Sequence, residues 1–270
     1  MVSMVCTSCV NDPDPNVIGV PQDNKYVLRG KELVRGLASC GLCHGAQPDP
    51  RSPLTGGRVL ADKFGEVTAP NLTPDKETGL GDWSAQEIIT AIRSSTDRDG
   101  KELSRPMHNG FEWMSDEDAI SIVSYLKALP PIRHEVERRE VSWFDRNIYG
   151  FFDVSKEQNG YVPEIDKQYK VEYGKYLAEN IARNNQCFAP WKEDLAWYER
   201  WFQSSDEIDN SEHPFQNWTV DEIVYYLQTG DAPEGKIEGT FLDPKSCPTN
   251  FYRYASREDL EALATYLKAK

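Results

Sequence analysis

Apolar residues recur at helical spacing near the end of each half of the chain. They stand three or four positions apart behind Ser115 and again behind Ser256. This period predicts amphipathic helices, and alternating patterns that would indicate strands are scarce. The two apolar faces consist of Ile120, Val123, Leu126 and Leu129, and of Leu260, Leu263, Ala264 and Leu267. We therefore predict an all-α fold.

The same helix signals occur twice and in the same order, which is the signature of an internal repeat. Ser84 is followed three residues later by Glu87, and Thr219 by Glu222; this spacing is typical of a capping box at a helix N-terminus. Further matches pair Gly30 with Gly174, Ser115 with Ser256, and Tyr125 with Tyr266. We predict two tandem domains. The predicted boundaries are an N-terminal extension at 1–26, a first domain at 27–131, a connector at 132–169 and a second domain at 170–270.

Composition narrows the classes of partner. The 270 residues include 44 acidic and 30 basic side chains, which gives a formal net charge of −14. Nucleic-acid binding needs clustered Lys and Arg, so we expect no nucleic-acid partner. The acidic excess is most simply a soluble, self-repelling surface, and an acidic docking face for a basic partner is the alternative. No apolar run approaches the roughly 20 residues of a membrane span. The N-terminus lacks the apolar core of a signal peptide, which indicates an intracellular protein or a trimmed, mature chain.

One motif carries specific chemistry. Cys40-Gly41-Leu42-Cys43-His44 has the Cys-x-x-Cys-His pattern that attaches c-type haem. Two Cys on one helical turn can each form a thioether to a haem vinyl group, and the adjacent His then directs its imidazole at the iron. A local disulfide or half of a zinc site are the alternatives, and zinc would need two further ligands.

The opposite face of the iron takes Met or His in many such proteins, or stays open. Met107 lies in a loop between two predicted helices, which favours it as the ligand. Met114 directly precedes the Ser115 cap, where a packing role is favoured. His108 is a minor alternative. The full set of candidates is Met107, Met114, His108, His134 and His213.

Segments 29–44, 69–83, 106–107 and 114–118 together resemble a class I cytochrome c domain. More narrowly, the chain resembles the tandem-domain cytochromes that accept electrons in bacterial periplasmic dehydrogenases, over roughly 27–131 and 170–270. The resemblance implies an electron-transfer role and a covalent haem c.

The same resemblance implies roles for individual residues. Cys40 and Cys43 would be the thioether attachments, His44 the proximal iron ligand and Met107 the distal ligand. Asn71, in the loop that continues through Leu72 and Thr73, and Trp83 would form part of the haem-pocket wall. The family usually has Pro after the ligand Met, where this chain has His108.

The second repeat lacks the haem motif. Aligning Gly174 with Gly30 places Asn184 at the position of Cys40, Cys187 at that of Cys43 and Phe188 at that of His44. No Met follows Met114. We therefore predict one haem per chain and a degenerate second domain.

An aromatic block follows the lost motif, and close packing of protein interiors suggests that it fills the old pocket. An ordinary aromatic helix face or a partner-binding patch are the alternatives. Cys187 and Cys247 could form a disulfide across the pocket if the geometry allows, and Cys6 and Cys9 have no assigned role. The block consists of Phe188, Trp191, Leu195, Trp197, Tyr198, Trp201 and Phe202.

These features predict an electron-transfer protein and not an enzyme. Its partners would be a dehydrogenase or a membrane redox complex on one side and a high-potential acceptor on the other. The alternatives are a haem-bearing structural or docking subunit of a larger membrane-associated complex, and a haem enzyme with an open iron face. The family attaches haem outside the bacterial cytoplasm, so the resemblance implies a periplasmic or other extracytoplasmic location.

Overall fold

The computed structural model describes residues 23–62, 65–101, 103, 108, 110–137, 160–182, 215–233 and 248–269. Several predictions fall outside these residues. They concern the distal-ligand position Met107, the two N-terminal cysteines Cys6 and Cys9, His213, most of the connector, and the region of the lost haem motif with its aromatic block, Cys187 and Cys247.

Helices dominate the described part of the chain. Two of them, Asn24–Glu32 and Lys170–Tyr176, continue into wide, π-helical turns at Leu33–Leu37 and Leu177–Ala182. A short 3₁₀ turn spans Phe111–Trp113. The helices are α1 (Asn24–Glu32), α2 (Gly41–His44), α3 (Ala85–Ser94), α4 (Asp116–Ala128), α5 (Lys170–Tyr176), α6 (Val220–Thr229), α7 (Thr249–Tyr252) and α8 (Arg257–Ala269).

The all-α prediction missed one β-hairpin. Strands β1 (Val59–Asp62) and β2 (Gly65–Thr68) pair antiparallel, with Val59 opposite Thr68. Each strand has four residues, which is too short for a period-two pattern to stand out in the sequence. The fold is therefore helix-rich with a small amount of sheet.

In the first half of the chain, α1 packs closely on α4. Gly30 is buried at the contact, and a Cβ there would overlap the Ser121 carbonyl oxygen. Only glycine permits this approach of the two helix backbones. The predicted helix starts are confirmed: Ser84 and Glu87 form a complete capping box at α3, and the Ser115 hydroxyl accepts from the Asp118 N–H at α4.

The second half repeats these contacts at corresponding positions. Gly174 of α5 lies against α8, where a Cβ would overlap the Ala262 carbonyl oxygen. Thr219 and Glu222 form the second complete capping box, at α6. Lys127 donates to the Trp83 carbonyl at 2.5 Å, and Lys268 donates to the Trp218 carbonyl at 2.6 Å. The sequence repeat thus corresponds to a repeated set of packing contacts.

A buried polar network joins the two halves. Arg29 of α1 donates to Asp118 at 2.8 Å and also to Asp259 of α8. The Tyr173 hydroxyl donates to Asp259 at 2.7 Å, and the Tyr176 hydroxyl donates to Asp118 at 2.8 Å. Arg29 therefore connects carboxylates from both halves, and the side chain of Asp259 is only 1% exposed.

Within the described ranges, every helix is too short or too polar to cross a membrane.

Candidate haem site

The backbone bends sharply just before the Cys-x-x-Cys-His motif. Gly36 leaves the helical region with φ −106° and ψ −116°, and Ser39 adopts a positive φ of 48°. The short helix α2 begins immediately afterwards, and the His44 N–H donates to the Cys40 carbonyl at 2.9 Å. Cys40 and Cys43 are therefore one helical turn apart, as the motif predicted, and both are half-buried.

The imidazole of His44 is oriented by a backbone carbonyl. Its Nδ1 lies 3.0 Å from the Pro70 oxygen, and because a carbonyl can only accept, Nδ1 carries the proton. Nε2 is then the unprotonated nitrogen that a metal requires. Burial lowers the pKa of His44, although the Pro70 hydrogen bond partly opposes this effect. The imidazole is therefore neutral at pH 7 and suited to ligation.

Asn71 organises the loop that supplies this carbonyl. Its Nδ2 donates to Thr78 at 3.2 Å and to the Ile132 carbonyl at 2.8 Å. Its Oδ1 accepts from the Thr73 N–H at 2.9 Å and from the Thr73 hydroxyl at 2.8 Å. All four hydrogen-bonding positions of the amide are thus used within the protein, and the residue directly follows Pro70. Asn71 therefore holds the acceptor of His44 in place.

Trp83 is 9% exposed and belongs to the hydrophobic core, just before the capping box of α3. Its carbonyl is one of the three that accept from Lys127. Trp83 is thus fixed by its backbone as well as by packing.

The structure separates the candidates for the distal ligand. Met114 is fully buried in the core, in agreement with a packing role. His134 binds the Thr55 carbonyl through Nδ1 at 2.8 Å. His108 lies across from His44, with the two ring centroids 6.5 Å apart and the ring planes 19° from parallel. Met107 falls outside the described residues, so its ligand role stays a prediction.

Sequence reasoning missed Arg58. Its carbonyl accepts from the Ala69 N–H at 2.9 Å, which places it beside the Pro70 segment that orients His44. Its Nη1 is buried and makes no hydrogen bond within the described part of the chain. A buried cationic donor is costly unless it meets an anion. Haem carries two propionate carboxylates, so Arg58 fits an anionic edge of that group; the Gly56-Gly57-Arg58 run was the available signal.

The donor set therefore fits a covalent haem. Two half-buried thiols lie on one turn, a neutral imidazole has its metal-binding nitrogen available, and a buried guanidinium donor stands near the proximal loop. Bound haem would supply one-electron oxidation and reduction. Among the described residues, no group of three or more His, Cys, Asp or Glu side chains is arranged to hold a metal ion.

The second half contributes a wall to this site. Helix α7 packs against α2, and the side chain of Phe251 is fully buried there. A Cβ on Gly41, between the two cysteines, would stand 3.1 Å from Phe251 Cε1. Asn250 reaches the Pro48 carbonyl at 3.5 Å. The other half of the chain thus contacts the helix that carries the Cys-x-x-Cys-His motif at Gly41.

The region of α6 in the second half contains a compact aromatic cluster. The ring of Trp218 lies edge-on to Phe215 and Tyr226, with centroids 5.4 and 5.6 Å away. All three side chains are at most 1% exposed. The corresponding positions of the first half hold Leu80, Trp83 and Ala91. The second half therefore has two aromatic rings where the haem-motif half has smaller side chains.

Comparison with known proteins defines the class. Residues 27–130 match the family model for cytochrome c. The predicted resemblance to cytochrome c, a family of haem-containing electron-transfer proteins, is therefore confirmed for this part of the chain.

The relatives extend the similarity over nearly the whole chain. A nicotinate dehydrogenase subunit of Pseudomonas putida is 25% identical over 266 residues, covering 93% of this chain and 22% of that protein. A diheme cytochrome c-type protein of Cereibacter sphaeroides is 25% identical over 249 residues, covering 86% of this chain and 81% of that protein. The cytochrome c subunit of a quinone-dependent alcohol dehydrogenase from Gluconobacter oxydans is 23% identical over 274 residues, covering 92% of this chain and 55% of that protein.

The chain thus spans about a fifth of the first of these relatives and about half of the third. The names of these two relatives describe them as subunits of dehydrogenases.

Proposed function

We propose that this protein is an electron-transfer cytochrome that carries one haem c and is not itself an enzyme. Cys40 and Cys43 form the thioether bonds, His44 is the proximal iron ligand and Met107 the distal ligand. The orientation of His44 by the Pro70 carbonyl is the observation that carries the proposal. It fixes the tautomer and direction of the one ligand that the motif supplies directly, as partners of metal-bound His generally do.

Asn71 and Trp83 have distinct parts in this proposal. Asn71 acts through Pro70 and is a positioning residue for His44. Trp83, fixed by Lys127 and by core packing, forms part of the pocket wall. Arg58 adds a donor for a propionate. His/Met ligation raises the potential of a haem relative to other ligand sets, which suits delivery of electrons to a high-potential acceptor.

We further propose that the chain has two tandem cytochrome c-like domains, of which the second has lost its haem. The glycine contacts, the capping boxes and the hydrogen bonds from lysine to a tryptophan carbonyl each occur in both halves and support a duplicated fold. The cluster of Phe215, Trp218 and Tyr226 supports a second pocket filled by side chains, because interiors pack without large voids. In sequence, Asn184 and Phe188 stand where a haem motif needs Cys and His.

The haem stoichiometry tests this proposal. A pyridine haemochrome assay against protein concentration should give one haem per chain for the wild type and for Cys187→Ser. Cys40→Ser with Cys43→Ser should give no covalent haem. Two haems per wild-type chain would contradict the degenerate second domain, and covalent haem retained in the double variant would contradict the attachment site.

The electron donor in this proposal is a dehydrogenase, as the names of the relatives suggest. Residues 151–270 hold 22 acidic and 13 basic side chains, and such an excess steers association with a basic partner surface. Binding of this protein to the dehydrogenase should weaken steeply as salt is raised, because salt screens exposed charges.

Covalent haem attachment in the family indicates an extracytoplasmic location.

A second candidate is a permanent haem-bearing subunit of a membrane-associated redox complex. The cytochrome subunits among the relatives favour it. Purification from the native source separates the two: a subunit copurifies with a dehydrogenase at fixed stoichiometry through high salt, whereas a shuttle is released.

A further inference from the structure

His108 lies near His44, the predicted proximal ligand. Its ring centroid lies 6.5 Å from that of His44, and the two ring planes differ by 19°. Phe111 is a second ring neighbour of His108, with ring centroids 6.3 Å apart. His108 therefore places an imidazole beside that of His44, and in sequence it directly follows the predicted ligand Met107.

This separation matches two imidazoles that share one metal ion. A metal–imidazole bond is about 2 Å long in zinc sites, and each ring nitrogen lies about 1 Å from the centre of its ring. Two rings in line on opposite faces of an iron would then have centroids about 6 Å apart. Rings stacked directly in van der Waals contact would instead lie about 3.5 to 4 Å apart. The observed centroid spacing of 6.5 Å is compatible with two imidazoles on one metal ion and too long for direct stacking.

The other described histidine does not compete for this position. His134 Nδ1 is bound to the Thr55 carbonyl at 2.8 Å, and its Cε1 lies against the backbone at Gly57. The His134 ring therefore lies against the segment of Thr55 and Gly57, which follows His44 in the chain. Of the described imidazoles, His108 is the one that pairs with His44.

We propose that His108 is a reserve distal ligand, whose imidazole binds the haem iron when the Met107 thioether leaves it. The inference rests on the proposed haem site at Cys40–His44. In the exchange one iron–sulfur bond breaks and one iron–nitrogen bond forms, with no electron or proton transferred. Because Met is the ligand that raises the potential, the exchange would convert a high-potential haem into a low-potential one without changing the fold.

Spectroscopy of the full-length ferric holoprotein tests the proposal. The variants are Met107→Leu, His108→Asn and the double variant, each checked for haem stoichiometry and helical content. Wild type and His108→Asn should show the far-red charge-transfer band of a Met–iron bond. Met107→Leu should lose that band yet stay low-spin, with the near-infrared and electron paramagnetic resonance signatures of two imidazoles. The double variant should become high-spin.

Added imidazole supplies a second measurement. It should convert the double variant to a low-spin form, while Met107→Leu should show no change because His108 already holds the position. A high-spin Met107→Leu protein that responds to imidazole like the double variant would overturn the proposal.

The outcomes also separate this inference from the assignment of Met107. A wild-type protein that shows two-imidazole signatures, lost in His108→Asn, would contradict Met107 as the resting ligand and still support His108 as an iron ligand.

Discussion

The α3 and α6 regions have the same kinds of helix ends but bury different side chains between them. Both begin with Trp followed by a complete capping box. Both end on a left-handed residue, Ser95 with φ 50° and Gly230 with φ 82°. Between these helix ends, Ala91 of α3 corresponds to the fully buried Tyr226 of α6. The helix ends and inter-helix contacts are thus retained independently of the chemistry of the pocket.

The largest expected effect comes from emptying the aromatic cluster of the second half. Tyr226→Ala should reduce the free energy of unfolding by about 3–5 kcal/mol, because a large side chain is removed from a site that cannot fully collapse. Chemical denaturation of the holoprotein measures it. Tyr225→Ala is the matched control: Tyr225 is 51% exposed, and its loss should cost less than about 0.5 kcal/mol.

Haem content sharpens the same test. If the cluster fills an abandoned pocket, Tyr226→Ala should keep the wild-type haem stoichiometry. A loss of haem from this variant would show that the cluster supports the haem site, and the comparison of the two halves would fail.

The next effect concerns the network between the halves. Arg29→Met should destabilise the protein by about 3 kcal/mol, because it removes the cation that binds the buried carboxylates of Asp118 and Asp259. Of the described cations, Asp259 would keep only Lys167, whose Nζ lies 3.9 Å away. Arg51→Met is the control, since the Arg51 side chain is 77% exposed and its ion pair with Asp49 lies at the surface, where such pairs contribute about 0–1 kcal/mol. Equal losses in the two variants would mean that the network does not stabilise the contact.

A smaller, paired effect is expected at the helix crossings. Gly30→Ala and Gly174→Ala should each cost about 1–3 kcal/mol, the range for an overpacked site, because the new Cβ meets a backbone carbonyl. Lys31→Ala and Lys175→Ala, at exposed neighbouring positions, are the controls. Similar losses at the two glycines would support equivalent crossings, whereas a loss at Gly30 alone would contradict the duplication.

Sequence reasoning reached the features that are local. The capping boxes depend on two residues three positions apart, and the α2 motif on five consecutive residues. Both are confirmed in the structure. The β1–β2 hairpin was missed because four-residue strands carry little periodic signal. The contact of Phe251 with Gly41 joins residues 210 positions apart, and nothing in either segment indicates the other. Arg58 was missed for a related reason. The Gly56-Gly57-Arg58 run draws attention to the segment, but only the structure shows that Arg58 Nη1 is buried without a hydrogen bond in the described part of the chain.

The polar network around Arg29 could not be predicted from the sequence for the same reason. Arg29 corresponds by the repeat to Tyr173, and Glu32 to Tyr176. The sequence therefore shows where the two halves diverge on α1 and α5. It does not show that these divergent positions meet at the boundary, because that depends on how the two halves pack.

The smallest effect is a pH dependence at this boundary. Burial, followed by the negative charge of Asp118, raises the pKa of Tyr176 well above its ordinary value. The folded protein therefore keeps the phenol proton at pH values where the unfolded chain, with a pKa of about 10, releases it. The free energy of unfolding should then fall as pH rises above about 10. Tyr173, whose pKa is also raised mainly by burial and which sits beside Arg29 and Asp259, contributes in the same direction.

Tyr176→Phe isolates the contribution of Tyr176. The variant should lose about 1 kcal/mol near pH 8, since the hydrogen bonds to Asp118 and Ser115 disappear. Its stability should then fall less steeply than that of the wild type between about pH 10 and 12, by up to about 1.4 kcal/mol for each pH unit. Tyr161→Phe is the control, because Tyr161 is 75% exposed and its profile should follow the wild type. Parallel profiles for Tyr176→Phe and wild type would mean that this phenol ionises equally in both states, and that the boundary between the halves is open to water.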